Sequence, residues 1–278
     1  MAQHAKMVAA LRRSVAKIDG TQERLVAQSS QACLKFGIDD IDMLLGSGLA
    51  LGDMHEVRCS LSRDIGCTTG FLMGLLSGLS DDRPIVLLSE PSTALDTGNF
   101  FPDGLVHLGL DASRLIRVRP LHLNDCLWAA GETCRTGGLA AIILHVKGNP
   151  NLFDLSVSRK LMLRAQTSGT PLFIVRQAGE EEASSAATRW HIKPASSLPD
   201  ETYPKGVGHM RLTLTLEKNR NGQTGQWLIA WNPKTRSFEH AATYTTASTH
   251  TLLPLHPSAN RPDSASEMGQ VVALERAS

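Results

Sequence analysis

The chain has 278 residues, of which 42% are hydrophobic and 20% charged, enough apolar content to bury a core and too little charge for wholesale disorder. Lys and Arg (28) nearly balance Asp and Glu (27), so the formal charge of +1 supplies no global field to attract nucleic acid. Five cysteines, Cys33, Cys59, Cys67, Cys126 and Cys134, are odd in number and form no CxxC pair, which argues against a disulfide framework or a zinc finger and for a reducing compartment. The longest apolar runs, such as Ile85–Leu88 and Leu139–Leu144, are too short to span a bilayer, and the first residues hold no apolar signal core. A cytoplasmic protein without a membrane partner is expected.

Residues 1–32 read as a helical arm. Leu11, Val15, Ile18 and Leu25 form an apolar stripe, and five basic side chains against Asp19 and Glu23 give residues 1–30 a net charge of +3. From residue 33 to 239 short apolar strands alternate with helical segments. Strands are expected at Met54–Cys59, Pro84–Ser89, Arg114–Val118, Leu139–His145 and Pro171–Arg176, and helices at Gly66–Leu79, Leu123–Thr136 and Ser156–Thr167. That order predicts an α/β fold with a mostly parallel sheet flanked by helices. Beyond residue 180 the texture becomes strand after strand: Ala187–Lys193, Met210–Glu217 and Trp227–Trp231, the last two joined by the turn-rich run 219–225 (NRNGQTG). The alternation of Leu and Thr through Leu212–Leu216 is the period of a half-exposed antiparallel strand, so the sheet acquires an antiparallel extension. From 240 to 278 the chain is rich in Ala, Ser, Thr, Pro and His without sustained period, and a disordered tail is expected.

Three runs carry a resemblance. Residues 35–49 (KFGIDDIDMLLGSGL) lead into the first strand, residues 87–96 (LLSEPSTALD) follow the second, and residues 108–116 (LGLDASRLI) approach the third. Together they resemble the core of RecA-type ATPases over about residues 35–232. In such enzymes the first strand ends in G-x-x-x-x-G-K-[ST], whose backbone and lysine hold phosphates. Here the corresponding run is 61–69 (LSRDIGCTT). Gly66 and Thr68, followed by Thr69, keep the second glycine and the hydroxyl, but Leu61 stands for the first glycine and Cys67 for the lysine. Losing that lysine removes a charge-assisted contact of roughly 1.5–3 kcal/mol. Leu144 and His145 occupy the positions of the metal-orienting acid, and Glu90 alone is left as a vestigial acid near the water-activating position. The resemblance therefore implies a degenerate phosphate loop, no bound cofactor and no turnover.

The second half narrows the family. Residues 125–137 (DCLWAAGETCRTG), 156–161 (SVSRKL), 188–192 (TRWHI), 216–222 (LEKNRNG) and 227–231 (WLIAW) resemble the ImuA family, with departures at Ala130-Gly131, Lys218 and Ala230. That resemblance implies a non-catalytic accessory protein of the bacterial SOS response. It would work in error-prone translesion synthesis beside an ImuB-type Y-family-like protein, an error-prone replicative-type polymerase and RecA. Two other readings remain open: an SOS cell-division inhibitor of RecA-like fold, and a RecA-type ATPase with a substituted loop.

Between Arg189 and Arg236 eight basic side chains face three acids, a net charge of +5, and Trp190, Trp227 and Trp231 lie among them. Arg189, Trp190, Lys218 and Arg220 are the candidates for contact with single-stranded DNA. Arg159, Lys160 and Arg164 fall together by helical spacing. With the arm residues Leu11, Val15, Ile18 and Leu25 they are candidates for partner contact.

Overall fold

A computed structural model of the chain describes residues 32–98, 101–197, 206, 208–220 and 222–241. The arm read at 1–32 lies outside these residues except for Ala32, and the tail read at 240–278 except for His240 and Ala241.

The chain enters through a two-stranded antiparallel ribbon, β1 (Cys33–Leu34) and β2 (Leu49–Ala50), that brackets α1 (Asp39–Leu45). Asp39, Asp40 and Asp42 occupy the first turn of α1, where the helix dipole favours negative charge. Gly48 closes the ribbon at φ 122, and a Cβ there would lie 2.6 Å from the Leu34 carbonyl oxygen, so only glycine fits.

Nine strands form the main sheet. In chain order they are β3 (Met54–Arg58), β4 (Ile85–Ser89), β5 (Leu115–Val118), β6 (Ala141–Lys147), β7 (Leu172–Gln177), β8 (Thr188–Ala195), β9 (Arg211–Asn219), β10 (Gly225–Asn232) and β11 (Ser237–His240). Their spatial order is β11-β10-β9-β8-β3-β7-β6-β4-β5. From β8 to β5 every neighbour is parallel, and β9, β10 and β11 add on antiparallel. The parallel core with an antiparallel extension is the RecA-like architecture that the sequence predicts.

Side chains alternate between two cores. On one face α2 (Ile65–Leu76), nine of whose twelve residues are buried, packs Phe71, Leu72 and Leu75 against Val57, Phe173, Val175, Trp190 and Leu214. On the other face α5 (Leu123–Thr136) and α6 (Leu155–Ser168) place Cys126, Ala130, Cys134, Leu161 and Ala165 against Val86, Leu88, Ile142, Leu144 and Ile174. Two short helices, α3 (Pro91–Thr97) and α4 (Pro102–His107), fill the segment after β4. Each begins on a proline at its first turn, whose fixed φ suits that position and whose missing N–H has no helical partner there. These two helices have no counterpart in the periodicity reading.

The expected limits hold within a few residues. Helix α5 spans Leu123–Thr136 as read, whereas α2 stops at Leu76 because Ser77 and Gly78 turn back onto the helix carbonyls of Met73 and Leu75. His240 is the last residue of β11. Among the described residues no helix is long and apolar enough to cross a membrane.

Candidate functional site

In an open α/β sheet ligands lodge beyond the carboxyl ends of the parallel strands. Here β3 ends at Arg58, and after three residues the chain winds into a 3-10 turn (Ser62–Asp64) that runs directly into α2. The segment that would have to open around phosphates is thus itself helical, with Asp64 N bonded to Leu61 O at 3.0 Å. Cys67 donates its thiol to the Asp64 carbonyl at 2.9 Å. Burial, with the nearby Asp64 charge second, pushes that thiol up to about 11, so it stays protonated. The hydroxyl of Thr68 is spent on Asp64 O at 3.1 Å and that of Thr69 on Ile65 O at 2.8 Å. Leu61 is half-exposed, and nothing lies within 4 Å of the point where a Cβ on Gly66 would sit.

Glu90 caps this edge as a brace. Its Oε2 accepts from the Lys147 backbone N–H at 2.9 Å, its Oε1 accepts from Ser92 Oγ at 2.7 Å, and its own N–H donates to His145 O at 3.0 Å. Both carboxylate oxygens therefore tie β4 and α3 to the end of β6. Beside it Asp96 binds Lys147 Nζ at 2.6 Å and accepts from Ser62 Oγ at 3.1 Å. Those contacts, the lysine first, hold the Asp96 carboxyl below the usual carboxylate range. Among the described residues no group of three or more His, Cys, Asp or Glu is placed to hold a metal.

Of the four residues read as DNA contacts, two lie in the interior, Lys218 is half-buried and Arg220 stays exposed. Trp190 is fully buried, with ring centroids 5.0 Å from Phe36 and 6.1 Å from Trp227, and its Nε1 donates to Thr188 Oγ1 at 3.0 Å. Arg189 is 3% exposed and donates from Nε to Glu56 Oε2 at 2.9 Å and from Nη2 to Ser184 Oγ at 3.1 Å. These two are interior residues and cannot meet a nucleic acid, which corrects the sequence expectation. Lys218 Nζ donates to the Ser184 carbonyl at 2.5 Å, and burial, before the repulsion of Arg189 and Arg220, lowers its pKa. Arg220 Nη1 lies 3.4 Å from Asp53 Oδ1. Lys218 and Arg220 fasten β9 and its turn to the rest of the fold. Part of the surplus of +5 over 189–236 is compensated from outside the segment, Arg189 by Glu56 and Glu181 and Arg220 by Asp53, which a local charge count does not include.

Sequence reading missed the buried network around Glu56. Arg176 on β7 bonds Glu56 Oε1 and carries its guanidinium 4.9 Å from the Phe153 ring centroid. Two residues on along β3, Arg58 clasps Glu217 in a two-pronged pair, Nε to Oε2 at 2.8 Å and Nη2 to Oε1 at 2.5 Å, tying β3 to β9 across β8. The signal was available in His55-Glu56 and in Arg176, ionisable residues inside apolar strands of a parallel sheet.

Of the partner candidates, Arg159 and Lys160 are exposed on α6. Arg164 turns onto α5, with Nη1 3.8 Å from Glu132 Oε1. Leu11, Val15, Ile18 and Leu25 lie outside the described residues.

No family model matches the chain. Protein ImuA of Caulobacter vibrioides, found in two strains, is 30% identical over 211 residues, covering 70% of this chain and 82% of that protein. Among solved structures the RadB recombinase aligns with a TM-score of 0.53 at 15% identity, over 75% of this chain and 100% of its own. Likeness at that identity establishes the fold alone.

Proposed function

The chain belongs to the ImuA family, and from that premise we propose that it is a RecA-fold accessory protein of SOS-induced, error-prone translesion synthesis that works without turning over a nucleotide. Its partners in this reading are an ImuB-type Y-family-like protein, an error-prone replicative-type polymerase and RecA, met through protein surfaces.

The observation that supports it most directly is the wound segment 61–65 followed by a protonated, internally bonded Cys67. A triphosphate needs backbone N–H groups turned outward and a cation at the position of that thiol. Here Asp64 N is already bonded, and Glu90 uses both carboxylate oxygens on its own chain. The degenerate loop is thus read as a retained strand-turn-helix without phosphate chemistry.

The test has two parts. Purified protein incubated with labelled ATP and single-stranded DNA should release no phosphate above background, and stoichiometric, DNA-stimulated release would refute the non-catalytic reading. Tagged protein recovered from DNA-damaged cells should bring down the ImuB-type protein and the polymerase. Recovery of a cell-division protein in their place would favour the division-inhibitor reading.

A further inference from the structure

Trp128 on α5 is 68% exposed, although tryptophan is on average largely buried, and Leu155 and Leu163 on α6 are 52% and 49% exposed. Helix α5 joins β5 to β6 and α6 joins β6 to β7, all parallel strands, so the two helices run side by side in the same direction. Their contact is fixed by Glu132, whose Oε1 lies 3.8 Å from Arg164 Nη1, and by Gly131, where a Cβ would lie 3.7 Å from Leu161 Cδ2. One turn back from Glu132 and from Arg164, Trp128 comes level with Lys160. Leu155, Arg159 and Leu163 recur every four residues and form one outward ridge of α6. The tryptophan therefore stands beside a ridge of leucines, and contiguous exposed apolar surface of this kind marks a contact site where scattered single residues do not.

The rim of this face is basic. Arg135, Arg159, Lys160 and Arg164 stand against the carboxylates of Asp125 and Glu132, and Glu132 is shared by Arg135 and Arg164. Arg159 and Lys160 have no ion pair among the described residues. An apolar centre with a tryptophan and a rim with arginines has the composition of a protein-binding surface. The charges select among occupants. A second copy would bring the same cations against themselves across a two-fold axis. A nucleic acid would meet two carboxylates, and leucines offer its bases no ring on which to stack. Residues 1–30 of the chain are themselves basic, with a net charge of +3.

We propose that the α5–α6 face docks an acidic amphipathic helix of a partner protein, its apolar side on Trp128, Leu155 and Leu163 and its carboxylates on Arg159 and Lys160. A helix docked in this way lays apolar residues one turn apart along the face, and Trp128 is the anchor that such contacts centre on. The free cations on the rim steer an acidic partner and reject a basic one. The identity of that partner, though not the surface, rests on the accessory reading above.

The experiment titrates the full chain by calorimetry with a synthetic amphipathic helix of leucine and glutamate, with the same peptide carrying lysine for glutamate, and with oligothymidine. The acidic peptide should bind saturably, and more weakly as salt is raised. Trp128→Ala, and separately Arg159→Glu with Lys160→Glu, should each weaken it about tenfold or more, with thermal unfolding unchanged because these side chains are exposed. No saturable binding, equal affinity in the Trp128→Ala variant, or binding of the lysine peptide or of oligothymidine as tight as that of the acidic peptide would overturn the docking surface. The purified ImuB-type protein should displace the acidic peptide from the parent. Failure to displace a peptide that binds as described would count against that partner, and so against the accessory reading, while the surface stands.

Discussion

Glu56 on β3 and Arg189 on β8 are register partners on adjacent parallel strands, and Arg189 Nε donates to Glu56 Oε2 at 2.9 Å with both side chains almost wholly buried. Arg176 approaches the same carboxylate from β7 on the other side. One acid thus holds two guanidiniums in the middle of the sheet. Burial raises its pKa, yet Arg176 and Arg189 outweigh that cost and hold the Glu56 carboxyl below the usual carboxylate range.

The first prediction concerns that carboxylate. Glu56→Ala removes the one buried partner of two buried cations, leaving only the more exposed Glu182 beside Arg176 and Glu181 beside Arg189, and should lower stability by about 3 kcal/mol in urea unfolding at pH 7. Because the folded pKa is depressed, the contribution of Glu56 is fully present above its ordinary unfolded value and is lost as pH falls through the folded one. The difference between parent and variant should therefore shrink on acidification. A difference that is constant from pH 7 to pH 3 would show that the carboxylate charge is not what stabilises the site.

The second concerns His145, held neutral down to about pH 4 by burial. The unfolded chain takes up a proton near its ordinary value of 6.5 while the folded ring does not, so stability is full above pH 6.5 and declines as pH falls towards 4. The full loss is about 3 kcal/mol. His145→Asn should flatten the slope of urea midpoints between pH 6.5 and pH 4.5. An unchanged slope would place the proton uptake on another group.

The third concerns how α2 meets the antiparallel extension. A Cβ on Gly74 would lie 2.9 Å from Trp231 and 3.1 Å from Phe238, whose rings pack edge-on at 4.9 Å. Alanine gains up to about 1 kcal/mol of helix propensity over glycine, while overpacking a closed core costs about 1–3 kcal/mol. Gly74→Ala should thus be net destabilising by about 1 kcal/mol in thermal or urea unfolding. A stabilised variant would mean that the two rings move aside freely.

The fourth separates fold from partner contact. Lys218→Glu with Arg220→Glu breaks the bond to the Ser184 carbonyl and the pair with Asp53 and should lower stability by about 1–3 kcal/mol. Arg159→Glu with Lys160→Glu, on the exposed face of α6, should leave it within about 0.5 kcal/mol. Co-purification with the proposed partners should then fall in the second variant at full stability. Equal recovery from parent and second variant would remove that face from the interaction.

What the sequence by itself determined is what local chemistry controls. The Leu and Thr alternation of β9, the limits of α5, and the strand-then-helix order that demands a parallel sheet all follow from period-2 and period-3.6 patterns and from Gly and Pro punctuation. Only the tertiary structure decided where charge goes. Arg189 and Trp190 turned inward because Glu56 and Phe36, more than a hundred residues earlier, wait for them across the sheet. Lys218 found the Ser184 carbonyl, and Arg220, still exposed, found Asp53. A net charge summed along a segment cannot anticipate compensation brought by strand pairing, because ion pairs form between neighbours in space and the sheet order places β3 between β7 and β8.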